Sequence, residues 1–117
     1  MLKNILLVVS DIERSKAFYQ KYFSLQVLKD FGENVILTEG LVLQEQKSWE
    51  QLMETNAVTG NASELFFVED DLDGFLLKIE NYMAERDQAV KVRENSWGKR
   101  AVILKDPDGH LIEVSER

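Results

Sequence analysis

From Ile5 to Val9 every position is apolar, a run of strand length entered by the polar Asn4. Such a run predicts a buried strand. The period then changes, and Ile12, Ser15, Tyr19 and Tyr22 recur at three- and four-residue spacing with Phe18 and Phe23 on the flank, which predicts a helix with an aromatic inner face. Ser10 with Glu13 fits a capping box at its start, and Asp11 is an alternative cap. Residues 25–31, 34–38 and 41–45 form three short apolar segments separated by Gly32-Glu33-Asn34 and Glu39-Gly40. This is the punctuation of a meander. Residues 48–55 are compatible with a brief helix, and 56–63 with a loop.

The same order then begins again. Residues 64–68 predict a strand entered by the polar Glu64, and Asp70 or Asp71 caps a helix whose Leu72, Phe75, Ile79 and Tyr82 fall on one face. Gly74 weakens that helix by about 1 kcal/mol relative to Ala, tolerable if it lies against a neighbouring element. Residues 89–94, 100–105 and 110–115 supply three more strands. Superposing Asp11-Ile12 on Asp71-Leu72 also superposes Asn4 on Glu64, so the order strand, helix, three strands occurs twice. The expected fold class is therefore α+β, with paired βαβββ modules whose mixed sheet curls around a cleft. A single domain over 1–117 is expected, with module one at about 1–47, module two at about 63–117 and a joining segment at 48–62.

The last two strands flank Asp106-Pro107-Asp108-Gly109, whose residues suit a tight turn. With those four as the loop, Lys105 faces His110, Leu104 faces Leu111 and Val102 faces Glu113. Glu113 then sits among apolar neighbours near Arg100. A one-residue shift, for instance through a bulge, would turn it to the other face.

Composition narrows the function. The 117 residues hold 14 basic against 21 acidic side chains, a formal charge of -7, the wrong sign for binding a nucleic-acid backbone. There is no cysteine, so disulfides, thiolate metal sites and cysteine nucleophiles are excluded. His110 is the single histidine, and with no matching nucleophile it reads as a turn residue. Residues 2–9 are too short to span a membrane, and acidic Asp11 and Glu13 follow where a signal peptide would have a cleavage site. A cytoplasmic protein is expected, with neither nucleic acid nor membrane as partner.

The segments VSDIERSKAFYQKYF, FFVEDDLDGF and WGKRAVILKDPDGHLIEVSE resemble the vicinal oxygen chelate superfamily, that of glyoxalase, bleomycin resistance protein and dioxygenase. The resemblance spans nearly the whole chain and implies paired βαβββ modules, often closed between two chains of a homodimer. It also implies a divalent metal in those members that do chemistry. The metal positions fall on Asn4, where metal-using relatives have His, on Glu64, on Glu113 and near Gln44. With no imidazole among them, Mg²⁺ or Mn²⁺ suits these donors better than Zn²⁺, Ni²⁺ or Fe²⁺.

Two function classes follow. The first is a metal-free binding protein with no cofactor, its cleft holding a planar or apolar small molecule against Trp97, Trp49, Tyr19 and Arg100. The second is a divalent-metal enzyme resembling lactoylglutathione lyase, thiol-transfer or dioxygenase relatives, with Glu113 as ligand or catalytic base. Each residue also has a plain structural role available: Glu113 as an ion-pair partner of Arg100, Glu64 as a solvated strand entry, the tryptophans as lids on the core, and Tyr19 as core.

Overall fold

The structure is a computed structural model describing all of residues 1–117. The chain folds as two compact units, residues 1–58 and 59–117. In the first, β1 (Ile5–Val9), α1 (Ile12–Phe23), β2 (Val27–Asp30), β3 (Asn34–Leu37) and β4 (Leu41–Glu45) are followed by α2 (Gln46–Met53). In the second, β5 (Leu65–Glu69), α3 (Leu72–Glu85), β6 (Val92–Glu94), β7 (Arg100–Lys105) and β8 (Leu111–Glu116) repeat the order. Each unit holds a four-stranded sheet, in the orders β1-β4-β3-β2 and β5-β8-β7-β6. In both, the first strand runs parallel to the last and the remaining pairs are antiparallel. The fold is α+β, a repeated βαβββ module, and neither sheet closes on itself. No helix is long and apolar enough to cross a membrane.

The helices start where short acidic side chains cap them. Asp11, not Ser10, caps α1 by accepting from Arg14 N at 3.1 Å, while the Ser10 hydroxyl accepts from the Arg14 guanidinium. Asp71, not Asp70, caps α3 by accepting from Gly74 N at 2.9 Å. A Cβ on Gly74 would collide with that Asp71 carboxylate, so the cap, and not a neighbouring element, favours glycine there. The inner face of α1 buries Phe18, Tyr19 and Phe23, with the Phe18 and Tyr19 rings edge to face at 4.9 Å. The face of α3 buries Leu72, Phe75, Ile79, Tyr82 and Met83, and the Tyr82 hydroxyl donates to the Lys105 carbonyl at 2.7 Å, tying the helix to the end of β7.

β1 departs from the buried strand that its apolar run predicts. It is an edge strand with Leu7 and Val9 buried on one face and Leu6 exposed on the other, while Ile5, on the face of Leu7 and Val9, is exposed where the strand begins, so only one of its faces is core. β6 is likewise shorter than residues 89–94.

The β7–β8 hairpin differs from the four-residue loop in its register. Gly109 N donates to Asp106 O at 2.9 Å, closing the turn, and Asp106 N then donates to His110 O at 3.0 Å. Asp106 therefore pairs with His110 across a three-residue loop, with Gly109 as a bulge at φ +89°. The Asp106 carboxylate, almost fully buried, locks the arrangement by accepting from Asp108 N and His110 N, each at 2.9 Å. The strands consequently pair Lys105 with Leu111, Leu104 with Ile112, Val102 with Val114 and Ile103 with Glu113. Val102, Leu104, Ile112 and Val114 fill the core, and alternation turns Glu113 to the opposite, open face. One glycine with positive φ thus decides which side of the sheet carries the carboxylate.

Candidate functional site

The open face of the second sheet collects side chains from all four strands. Phe66 pairs with Glu113 and Val68 with Ser115, while β7 contributes Ile103 opposite Glu113 and Ala101 opposite Ser115, and β6 sets Arg93 opposite Ala101. Phe66, Val68 and Ile103 keep 41%, 42% and 45% of their surface, a partly exposed apolar floor. Glu64 enters the same face one step before β5.

Residues 95–99, the turn from β6 to β7, fold over this floor. Gly98, at φ +74°, donates to Asn95 O at 3.0 Å, and Asn95 N donates to Lys99 O at 2.8 Å. The Asn95 side chain works in both directions. Its Oδ1 accepts from Trp97 N and Lys99 N at 3.0 and 3.1 Å, while its Nδ2 donates to Glu113 Oε2 at 3.2 Å and to Ser115 Oγ at 3.1 Å. Asn95 therefore pins the turn to β8, and Trp97 reaches across to β5, where its ring meets Phe66 edge on at 5.1 Å. Trp97 remains 70% exposed. Asn95 was not among the residues singled out from sequence; the Asn-x-x-Gly pattern of a tight turn was the available signal.

Glu64 and Glu113 come together. Partial desolvation pushes the Glu64 carboxyl above its usual range, and a hydrogen bond to Glu113 and repulsion from its charge push it the same way. The pair can hold one proton between two carboxylates, with Asn95 donating to Oε2 of Glu113. On the β6 side of Glu113 the face opens into a groove of about 540 Å³, walled by Ala89, Lys91, Arg93, Ala101 and Ile103.

Arg100 does not partner Glu113; it alternates onto the helix side of the sheet and forms ion pairs with Asp73 and Glu116, each at 3.1 Å. Those two carboxylates occupy its guanidinium, so it does not join the groove. Tyr19 is fully buried in the α1 core and offers no surface to a ligand. Trp49 is half-buried on α2, in the first unit. Asn4 precedes β1, and Gln44, on β4, accepts from Asn34 Nδ2 and donates to Ser48 Oγ, both at 2.7 Å.

These donors fit Zn²⁺, Ni²⁺ or Fe²⁺ poorly. Within neither unit do three His, Cys, Asp or Glu side chains gather so that they could hold a metal ion. The Asn95 oxygen is spent on the turn, and both ends of the Gln44 amide are committed. Within the second unit, Glu64 and Glu113 offer a minimum for a mostly hydrated Mg²⁺ or Mn²⁺, and such an ion would compete with the proton that the raised Glu64 carboxyl favours.

No curated protein matches the chain. Among solved structures it is similar to a protein of unknown function from Agrobacterium tumefaciens str. C58, at 30% identity and a TM-score of 0.81, covering 100% of this chain and 94% of that one. The lactoylglutathione lyase of Agrobacterium tumefaciens shares the fold at 22% identity and a TM-score of 0.71, over 99% and 92% of the two chains. A glyoxalase/bleomycin resistance protein/dioxygenase family enzyme from Burkholderia phytofirmans PsJN shares it at 18% identity and 0.78, over 98% and 97%. Residues 2–117 match the model of the glyoxalase-like domain, and the chain belongs to that family.

Proposed function

We propose that this protein binds a planar or apolar small molecule on the open face of its second sheet, without a catalytic metal. One observation carries the proposal: Phe66 and Trp97 form an exposed aromatic pair directly beside the Glu64–Glu113 carboxyls. Edge-to-face rings left in solvent offer flat apolar surface, and the adjacent carboxyl pair offers a polar contact that sets orientation. Family members often bind small molecules and often form dimers. For this chain a homodimer is part of the proposal, tested by sedimentation, as is a cytoplasmic location, with which the absence of cysteine agrees.

The test uses a Trp49→Phe background, so that Trp97 is the single fluorescent reporter, titrated with a panel of planar compounds. Saturable quenching that Phe66→Ala weakens supports the proposal. A flat response across the panel refutes it.

The Glu64–Glu113 pair favours one second possibility, a divalent-metal-dependent enzyme of the lactoylglutathione lyase, thiol transferase or dioxygenase kind. A site-specific ion at about 100 times its Kd would add about 2.7 kcal/mol of stability. Thermal shift with Mg²⁺ and Mn²⁺ reads this directly. Stabilisation abolished by Glu113→Gln would favour the enzyme, and no stabilisation by either ion would remove it.

A further inference from the structure

We propose that the ligand of the groove carries an acidic group, held by Lys91 and Arg93 at the β6 edge. The inference rests on the small-molecule function proposed above and adds the ligand's charge and orientation. Lys91 and Arg93 are two residues apart and both line the groove, Arg93 standing on β6 opposite Ala101. Both are exposed, and neither takes part in any ion pair.

Carboxylates are nonetheless at hand. Glu113 and Glu94 line the same groove. Glu113 is turned toward Asn95 and Glu64, and Glu94 precedes the 95–99 turn, its carboxylate beside Gly98. The groove therefore keeps two cations whose charge its own acids do not neutralise, in a chain whose net charge is -7 and whose overall field repels anions.

Strand order sets the orientation. Glu113 on β8 and Arg93 on β6 are separated by β7, two strand spacings or about 10 Å. Ala101 and Ile103 of β7 form an apolar floor between the two poles. A planar ligand lying on that floor meets like charge at the Glu113 end and opposite charge at the β6 end, so its acid points to Lys91 and Arg93.

A matched pair of probes on one aromatic scaffold tests this: anilinonaphthalene sulfonate, which is anionic, and phenylnaphthylamine, which is neutral. Each is titrated against the full chain in the Trp49→Phe background, with energy transfer from Trp97 as the signal. Two exposed charge contacts predict about tenfold tighter binding of the sulfonate. Raising salt from about 0.1 to about 1 M, which shortens the Debye length from about 10 to about 3 Å, erodes that preference. The Lys91→Gln/Arg93→Gln double variant, whose changes are exposed and whose folding is checked by thermal melting, abolishes the preference while the neutral probe binds as before. Equal binding of both probes, or a preference that survives the double variant, overturns the acidic-group inference and leaves small-molecule binding standing. Failure of both probes to bind overturns both.

Discussion

Asn95→Ala is the substitution that most directly probes how this site is built. Four hydrogen bonds end on that one amide, two holding the turn together and two fastening it to Glu113 and Ser115 of β8. The two turn bonds are exposed, and water replaces much of their value. The bond to the nearly buried Ser115 cannot be replaced so readily, and losing a charged acceptor's donor costs more than losing a neutral one. Together these give a loss of about 2 to 3 kcal/mol in urea unfolding. Trp97 should at the same time leave Phe66, which time-resolved anisotropy in a Trp49→Phe background reads as faster ring motion. Asn95→Asp separates the two roles, because it retains the acceptor for the turn, loses the donors and sets a third carboxylate beside Glu64 and Glu113. It should be less stable than Asn95→Ala near neutral pH and recover on acidification, as its carboxyl, raised above the ordinary range by those two neighbours, takes up a proton. A loss under about 0.5 kcal/mol for Asn95→Ala, with Trp97 motion unchanged, would refute the anchoring role.

Three further outcomes follow from the same geometry. Glu64 holds its proton above its usual 4.5, so the folded state binds more protons than the unfolded one, and the pair's stabilisation, complete below that value, is lost as pH rises through the raised one. Glu64→Gln should flatten this fall in a pH series of unfolding curves and raise stability near neutral pH; an unaltered profile would contradict the shared proton. Gly109→Ala, at φ +89° and with its Cβ 3.4 Å from Thr59 Cγ2, should lose about 1 to 2 kcal/mol in chemical denaturation. Ile79→Ala, emptying a fully buried position of α3, should lose about 2 to 5 kcal/mol by the same assay.

Much of the fold was readable from local signals. Periodicity located both long helices, their starts were visible as motifs although the choice between Ser10 and Asp11 and between Asp70 and Asp71 was open, and the repeat was plain once Asp11 was laid over Asp71. These features depend on residues a few positions apart, and the physics that sets them is equally local. Strand exposure was less readable, since an apolar run such as Ile5–Val9 looks the same at the edge of a sheet as in its middle.

The site depended on long-range pairing. Glu113 and Glu64 stood out from their types and from the family resemblance, yet which face Glu113 occupies hinged on a bulge at Gly109, because alternation reverses every side chain of a strand when its register moves by one. The same reversal sends Arg100 to Asp73 and Glu116 instead of Glu113. Asn95 gains its importance only when the 95–99 turn folds over the sheet, which brings it to a strand whose residues lie about twenty positions away. Sequence by itself thus determined the elements, their repetition and the donor types on offer. Tertiary structure alone decided which donors meet, because a sheet face is assembled from strands remote in the chain.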